Sequence, residues 1–219
     1  MVIEAVVFDL DGVLIDSEAV WNAARKEVAE SHGGRWLQDA QREMMGMSST
    51  EWSSYMHDRL GVELSPEETS AAVVSRLERL YRKRLPLLDG ARETVTALAR
   101  VWRLALASSA NRSIIELALD LAALTQDFAA AVSSEEVPRG KPAPDVYLEA
   151  ARRLGVAPSS CVAVEDSGNG IRSASAAGMT VIAVPNREFP PSPDALALAH
   201  DVLDSLTQLT PERVREVAG

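Results

Sequence analysis

The pattern of apolar runs constrains the fold of this chain most strongly. Short runs rich in Val, Ile, Leu and Ala recur along the sequence and are separated by helical stretches. These runs cover residues 3–8, 102–107, 128–132, 161–164 and 180–184. Unbroken apolar strands that alternate with helices are typical of a parallel sheet that is covered on both faces. We therefore expect an α/β fold with a Rossmann-like parallel sheet and helices on both of its faces.

A helical segment interrupts this alternation between the first two strands. Two capping-box patterns, Ser48 with Glu51 and Ser65 with Glu68, each mark the start of a helix there. A connection of this length without a strand is best explained as an inserted all-α cap domain. The sequence predicts a core of residues 1–15 and 87–219 and a helical cap of residues 16–86.

Composition excludes several classes of partner. The chain has 219 residues and a formal net charge of −10, which argues against nucleic acid or an anionic membrane as the main partner. Its single cysteine, Cys161, permits no internal disulfide. We see no signal peptide and no apolar segment long enough to span a bilayer. We expect a cytoplasmic protein, and a monomer, whose partner is a small molecule.

Polar residues follow the predicted strands at their carboxyl ends, where ligands bind in parallel α/β sheets. They are Asp9 and Asp11 after the first strand, Ser108 and Ser109 after the second, Lys141 in the loop after the third, and Glu165 and Asp166 after the fourth. Because these strand ends share one edge of the sheet, we expect acids, hydroxyls and an ammonium group to meet there.

The types of side chain indicate phosphoryl chemistry. Clustered carboxylates repel one another unless a cation lies among them, and an oxygen-only ligand set favours Mg²⁺. A lysine and a serine suit the oxygens of a phosphoryl group. One carboxylate can attack phosphorus, and a second one nearby can transfer protons.

Four segments resemble, in order, the motifs of the haloacid dehalogenase superfamily. They read "DLDGVLIDS", "LASSANR", "RGKPAPDVYLEAARRLG" and "CVAVEDSGNGIRSASAAGM". The similarity covers essentially the whole chain. It is greatest to the branch with a helical cap after the first motif, which includes β-phosphoglucomutase and sugar-phosphate phosphatases.

The resemblance implies a role for each matching position. Asp9 is the expected nucleophile, and Asp11 the acid that protonates the leaving oxygen and then activates water. Ser108 and Lys141 are expected to hold phosphate oxygens. The implied metal ligands for Mg²⁺ are Asp9, Asp11 through its backbone carbonyl, Asp166 and Glu165, the last either as a direct ligand or through water.

Differences from the motifs of related enzymes favour hydrolysis of a phosphate ester over the other reactions of the superfamily. Dehalogenases lack the second aspartate, so Asp11 argues against that reaction. Mutases of this branch carry a histidine and an arginine at positions that hold Trp21 and Ser49 here, which weakens a clamp for a second phosphate. We therefore predict a Mg²⁺-dependent phosphatase of a small phosphorylated metabolite, with a sugar or polyol phosphate as the expected substrate. A phosphomutase is the alternative; a signalling receiver domain and an inactive binding protein are less consistent with these motifs.

The cap and the second motif supply candidate substrate-binding residues. These are Trp21, Gly46, Met47, Ser109 and Asn111. Two readings stay open for the cap residues: Trp21 and Met47 either line a substrate pocket or pack inside the helical insert. Asn111 is either a substrate contact or a surface residue at the start of a helix.

Overall fold

A computed structural model describes residues 2–45 and 47–218 of the protein. Its six strands form one sheet in the order β3-β2-β1-β4-β5-β6, and all adjacent pairs are parallel. The strands are β1 (Ala5–Phe8), β2 (Arg103–Ser108), β3 (Ala130–Ser133), β4 (Cys161–Glu165), β5 (Thr180–Ala183) and β6 (Asp201–Val202). The predicted parallel α/β sheet is confirmed. The short strand β6 was not predicted, because its two residues form no apolar run.

Helices precede or follow the strands as the sequence pattern predicts. They are α1 (Glu18–Ser31), α2 (Ala40–Met44), α3 (Ser49–Leu60), α4 (Pro66–Lys83), α5 (Ala91–Ala99), α6 (Arg112–Leu121), α7 (Asp145–Leu154), α8 (Gly168–Ala176), α9 (Pro193–Leu196) and α10 (Pro211–Ala218). Both predicted capping boxes are formed, at the starts of α3 and α4. Among the described residues, no helix is both long and apolar enough to cross a membrane.

Side chains alternate between the two faces of the sheet and build a separate core on each. In β1, Val6 and Phe8 belong to one buried cluster, whereas Ala5 and Val7 belong to the other. This is the two-residue period of a strand that is buried on both sides. The cluster around Ala5 and Val7 is covered by α7 and α8, and the other contains residues of α5, α6 and the helices α1 to α4.

The four helices α1 to α4 lie between β1 and β2 in the chain, where the cap is expected. The two chain segments that lead into and out of them run side by side. The Asp16 N–H donates to the Pro86 carbonyl (2.8 Å), and the Leu88 N–H donates to the Leu14 carbonyl (2.9 Å). The division at residues 15/16 and 86/87 stays a prediction, and these hydrogen bonds support it.

Candidate active site

The site lies where the strand order reverses, at the carboxyl ends of β1 and β4. β1 is followed in the chain by β2 on one side, whereas β4 pairs with β1 on the other side. Such a switch point leaves a crevice between the loops that follow the two strands. Asp9 follows β1, and its N–H donates to the carbonyl of Val164 in β4 (3.0 Å). The end of β4 places Glu165 and Asp166 beside it.

Three buried carboxylates converge at this position. Asp9, Glu165 and Asp166 each have a carboxylate oxygen within 4.8 Å of the others. Lys141, 7% exposed, bridges two of them. Its Nζ donates to Asp9 Oδ1 at 2.8 Å and to Glu165 Oε1 at 2.5 Å. A buried ammonium group with two carboxylate partners is held in one place, so Lys141 has a fixed position relative to Asp9.

Glu165 accepts several further hydrogen bonds that fix the position of this cluster. Its Oε1 also accepts a hydrogen bond from the Tyr147 hydroxyl (2.7 Å). Its Oε2 accepts from the Asp166 N–H (3.1 Å) and from the Ser167 Oγ (3.1 Å). Both oxygens are thus engaged within the protein. Because its two oxygens already accept these hydrogen bonds, Glu165 is well suited to hold Lys141 in place. The role of Glu165 as a metal ligand remains a prediction.

Charge in the cluster is unbalanced, and the pKa values reflect it. Burial, together with Glu165 and Asp11, raises the pKa of Asp9 to about 8, although Lys141 opposes the shift. Burial and the carboxylates of Glu165 and Asp9 raise the pKa of Asp166 well above its ordinary value. Burial alone would lower the pKa of Lys141, but Asp9 and Glu165 raise it. A hard divalent cation would stabilise these carboxylates in their charged form, so the donor set fits Mg²⁺.

A glycine directs the loop after β1 across Asp166. Gly12 has a φ of +81°, and its N–H donates to the Ile15 carbonyl (2.8 Å). A Cβ at position 12 would overlap the carboxylate of Asp166. Only glycine combines this backbone conformation with so close an approach to Asp166.

Asp11 faces the cap rather than the carboxylate cluster. Its Oδ1 accepts a hydrogen bond from the indole N–H of Trp21 in α1, at 2.9 Å. Trp21 is 5% exposed, lines the cleft and packs edge-on against Trp52 of α3. The ring is therefore packed inside the cap while its N–H reaches Asp11, and a role of Trp21 in substrate binding stays a prediction.

The residues after β2 occupy different environments. Ser108 is fully buried, and its Oγ accepts a hydrogen bond from the Ala110 N–H (3.0 Å). Ser109 lines the cleft. The side-chain amide of Asn111 donates to Glu135 at 2.6 Å, and Asn111 is not among the residues that line the cleft. The substrate roles of Ser109 and Asn111 stay predictions.

A cleft of about 480 Å³ opens above the cluster, between the sheet edge and the helices α1 to α3. The predicted residues that line it are Asp9, Asp11, Trp21, Met47, Ser109, Lys141 and Asp166. Ser108 and Glu165 lie buried behind this surface. Gly46, predicted to bind substrate, lies outside the described residues.

The cleft also has walls that were not predicted. Glu18 and Arg25 of α1 line it, as do Trp52 and the loop that contains Glu188 and Phe189. Helical spacing could have indicated the first two, because residues three, four and seven apart on a helix share the face that carries Trp21. The loop follows β5, so its position at the carboxyl edge of a parallel sheet was a usable signal.

The contact of Tyr147 with the site could not be predicted from the sequence. Tyr147 is a core residue of α7 by its spacing, and α7 packs against β1, β2 and β3, yet the Tyr147 hydroxyl donates to Glu165 at the end of β4. Sequence spacing on a helix does not indicate which end of an aromatic side chain will meet a polar partner.

The fold and the site define a class of phosphoryl-handling enzymes built on a doubly wound sheet with a helical cap. A family model described as haloacid dehalogenase-like hydrolase matches residues 3–178. The chain belongs to this family, in its β-phosphoglucomutase-like branch.

Curated relatives narrow the class of reaction. Hexitol phosphatase B of Escherichia coli (strain K12) is 36% identical, over 94% of each chain. A phosphorylated carbohydrates phosphatase of Thermotoga maritima is 33% identical, over 80% of this chain and 82% of its own. The crystal structure of β-phosphoglucomutase from Clostridium difficile is similar in fold, with a TM-score of 0.84 at 23% identity over 99% of this chain and 97% of its own. The chain is a phosphomonoester hydrolase of this family, and the predicted family and reaction class are confirmed.

Proposed function

We propose that the protein is a Mg²⁺-dependent phosphatase that hydrolyses a small sugar or polyol phosphate through an aspartyl phosphate on Asp9. One observation carries the proposal. The Asp9 carboxylate faces the cleft at the switch point of the sheet, with Lys141 on one oxygen and two further buried carboxylates beside it. The carbohydrate phosphatases among the relatives support the substrate class.

In the first step a carboxylate oxygen of Asp9 attacks phosphorus. A bond between Asp9 and phosphorus forms, and the bond from phosphorus to the ester oxygen breaks. Asp11 acts as the general acid and gives a proton to the departing oxygen, so that the alcohol leaves neutral. The hydrogen bond from Trp21 holds one oxygen of Asp11, which leaves the other free to carry the proton.

In the second step water hydrolyses the aspartyl phosphate. Asp11 is now a carboxylate and takes a proton from the attacking water. The bond between phosphorus and Asp9 breaks, inorganic phosphate is formed, and Asp9 returns as a free carboxylate. One residue can serve in both steps, because the alcohol leaves from the same side from which water later attacks.

Other residues position the phosphoryl group. Lys141 balances negative charge on the transferred oxygens, and its bond to Glu165 fixes its distance from Asp9. Ser108 accepts a hydrogen bond from the main chain, so its own hydroxyl proton remains available to a phosphate oxygen. Asp9, Asp166 and the backbone carbonyl of Asp11 would hold Mg²⁺. The bound ion supplies positive charge that offsets the carboxylates and the phosphoryl oxygens.

The test is phosphate release from a panel of sugar, polyol and short-chain phosphates, with Mg²⁺ and after its removal by a chelator. Asp9→Asn should abolish release. Asp16→Asn is the matched control, because Asp16 is an exposed aspartate in the same segment and does not line the cleft. Metal-dependent release that is lost in Asp9→Asn and kept in Asp16→Asn supports the proposal.

Two results would refute it. Release that survives in Asp9→Asn would exclude Asp9 as nucleophile. Isomer formation from a sugar phosphate primed with a bisphosphate, without net phosphate release, would identify a mutase instead.

A further inference from the structure

Arg25 is a buried cation on the wall of the cleft formed by the cap. It lies in α1 and is 6% exposed. Its guanidinium carbon is 4.8 Å from the ring centroid of Trp21 and 5.1 Å from that of Trp52. Contact with two aromatic rings holds the side chain in place and fixes its position in the cleft. The proposed catalytic residues make no use of it.

Within residues 2–45 and 47–218, Arg25 has neither an ion-pair partner nor a hydrogen-bond acceptor, and its Nε is buried without a partner. Lys141, another cation of the cleft, donates to Asp9 and Glu165. Arg42, a third, pairs with Asp39 at 2.9 Å.

A buried guanidinium nitrogen without an acceptor is costly, because the Nε–H of Arg25 has lost water and gained no partner. Burial lowers the pKa of Arg25 to about 10, although the nearby carboxylates of Glu18 and Asp11 oppose this shift. The rings of Trp21 and Trp52 offset part of the lost hydration, but they accept none of the N–H donors at the edge of the guanidinium plane. An anion that enters the cleft would satisfy these donors.

We propose that Arg25 binds a second anionic group of the substrate, a carboxylate or a second phosphate, carried by the alcohol that leaves phosphorus. This inference rests on the proposed function. The geometry places Arg25 on the leaving-group side: the indole of Trp21 donates to Asp11, which protonates the leaving oxygen, and its ring contacts Arg25. The planar fork of an arginine matches the oxygens of a carboxylate or a phosphate.

The neighbouring acid narrows the class of alcohol. Glu18 lies on the same face of α1 and lines the cleft, and its Oε2 is buried without a partner in the described part of the chain. A carboxylate oxygen in that state accepts hydrogen bonds from hydroxyl groups. Arg25 and Glu18 together fit an alcohol that carries both hydroxyls and an acidic group. A phosphorylated sugar acid or a sugar bisphosphate has this composition, whereas a hexitol phosphate lacks the second anion.

The experiment compares substrates that differ only in the second anion. One pair is a hexitol phosphate and the phosphate of the corresponding aldonic acid. The other is a ketohexose monophosphate and a ketohexose bisphosphate, which tells a carboxylate preference from a phosphate preference. For each pair, kcat/KM is measured in the wild type, Arg25→Met, Arg25→Lys and Arg42→Met.

The wild type should prefer the acidic member of at least one pair by about tenfold or more, which corresponds to about 1.4 kcal/mol. Arg25→Met should bring the ratio close to one. Arg25→Lys keeps the charge but lacks the fork, so it should reduce the preference less, and it decides the question if Arg25→Met does not fold. Arg42→Met should keep the preference, because Arg42 is already paired with Asp39.

A ratio near one in the wild type, or an equal loss in Arg42→Met and Arg25→Met, would overturn the assignment to Arg25. Calorimetric binding of the same pairs to Asp9→Asn with Mg²⁺ separates this from a failure of the proposed function. Tighter binding of the acidic compound that disappears on adding Arg25→Met supports the subsite even if the wild type hydrolyses neither compound. Equal binding, or no binding, of both compounds refutes the subsite.

Discussion

Replacing Gly170 by alanine tests whether the hydrogen bonds of Glu165 stabilise the fold and hold the active site in position. Gly170 lies in the first turn of α8, directly against Glu165. A Cβ at position 170 would overlap both carboxylate oxygens of Glu165 and the carbon that joins them. The carboxylate would have to move, and this would disturb the hydrogen bonds that it accepts from Lys141, Tyr147 and Ser167, the N-cap residue of α8.

Two effects of opposite sign set the magnitude. Alanine in a helix is favoured over glycine by about 1 kcal/mol. Hydrogen bonds to a charged group contribute about 1.5–3 kcal/mol each, so losing two of them costs about 3–6 kcal/mol. The net loss for Gly170→Ala is therefore about 2–5 kcal/mol of unfolding free energy. At about 2–4 °C per kcal/mol for a chain of this size, Tm should fall by at least about 4 °C.

The assay is thermal unfolding followed by circular dichroism, together with phosphate release. Gly168→Ala in the same helix is the matched control. Its Cβ would come within 3.1 Å only of Arg172 Nη1, at the far end of a flexible side chain. Its stability should stay within about 1 kcal/mol of the wild type. If Gly170→Ala melts at or above the wild-type temperature and retains full activity, Glu165 does not hold the site as described.

Three further predictions follow from contacts in the site and on the surface. Trp21→Phe removes the N–H that Asp11 accepts, and kcat should fall about two- to tenfold while the variant stays folded; an unchanged kcat would exclude an orienting role. The ion pairs of Glu149 with the arginines three and four positions later lower its pKa to about 2, so they stabilise the fold above pH 4.5 and this stabilisation disappears as the pH falls toward 2. Urea unfolding of Glu149→Gln against wild type should show the full difference at pH 6 and little of it near pH 2, and a difference independent of pH would contradict this. Burial raises the pKa of the Cys161 thiol to about 11, so Ellman's reagent should titrate no thiol in the native protein and one after unfolding; rapid reaction of the native protein would contradict the burial.

Much of the core could be predicted from the sequence because its signals are local. A strand buried on both faces, such as β1, is an uninterrupted apolar run, and the parallel arrangement brings all carboxyl ends to one edge. That alone indicated that Asp9 and Asp166 would meet. The capping boxes at Ser48 and Ser65 could be predicted equally well, since each joins residues only three positions apart in the sequence.

The cap side of the site could not be predicted in the same way. Whether Arg25 faces the cleft depends on how α1 is rotated against α3 and the sheet, and this is set by packing between elements far apart in the chain. The chemistry of Arg25 gives no sign of it either, because an arginine on a helix is usually solvated. Asn111 illustrates the opposite case. It lies three residues after Ser108, the serine predicted to bind phosphate, but its side-chain amide donates to Glu135.

The charges of the site indicate why the metal and the substrate should depend on each other. The buried carboxylates of Asp9, Glu165 and Asp166 face the single ammonium of Lys141, so the cluster carries two uncompensated negative charges when all groups are ionised. A phosphate dianion brought next to this cluster would be repelled, and a pKa of about 8 would leave the Asp9 nucleophile mostly protonated near neutral pH. A divalent cation removes both obstacles at once, because it cancels the excess charge and favours the ionised form of Asp9. Phosphate affinity should therefore increase steeply with Mg²⁺, whereas the role proposed for Arg25 affects only the affinity for the leaving group.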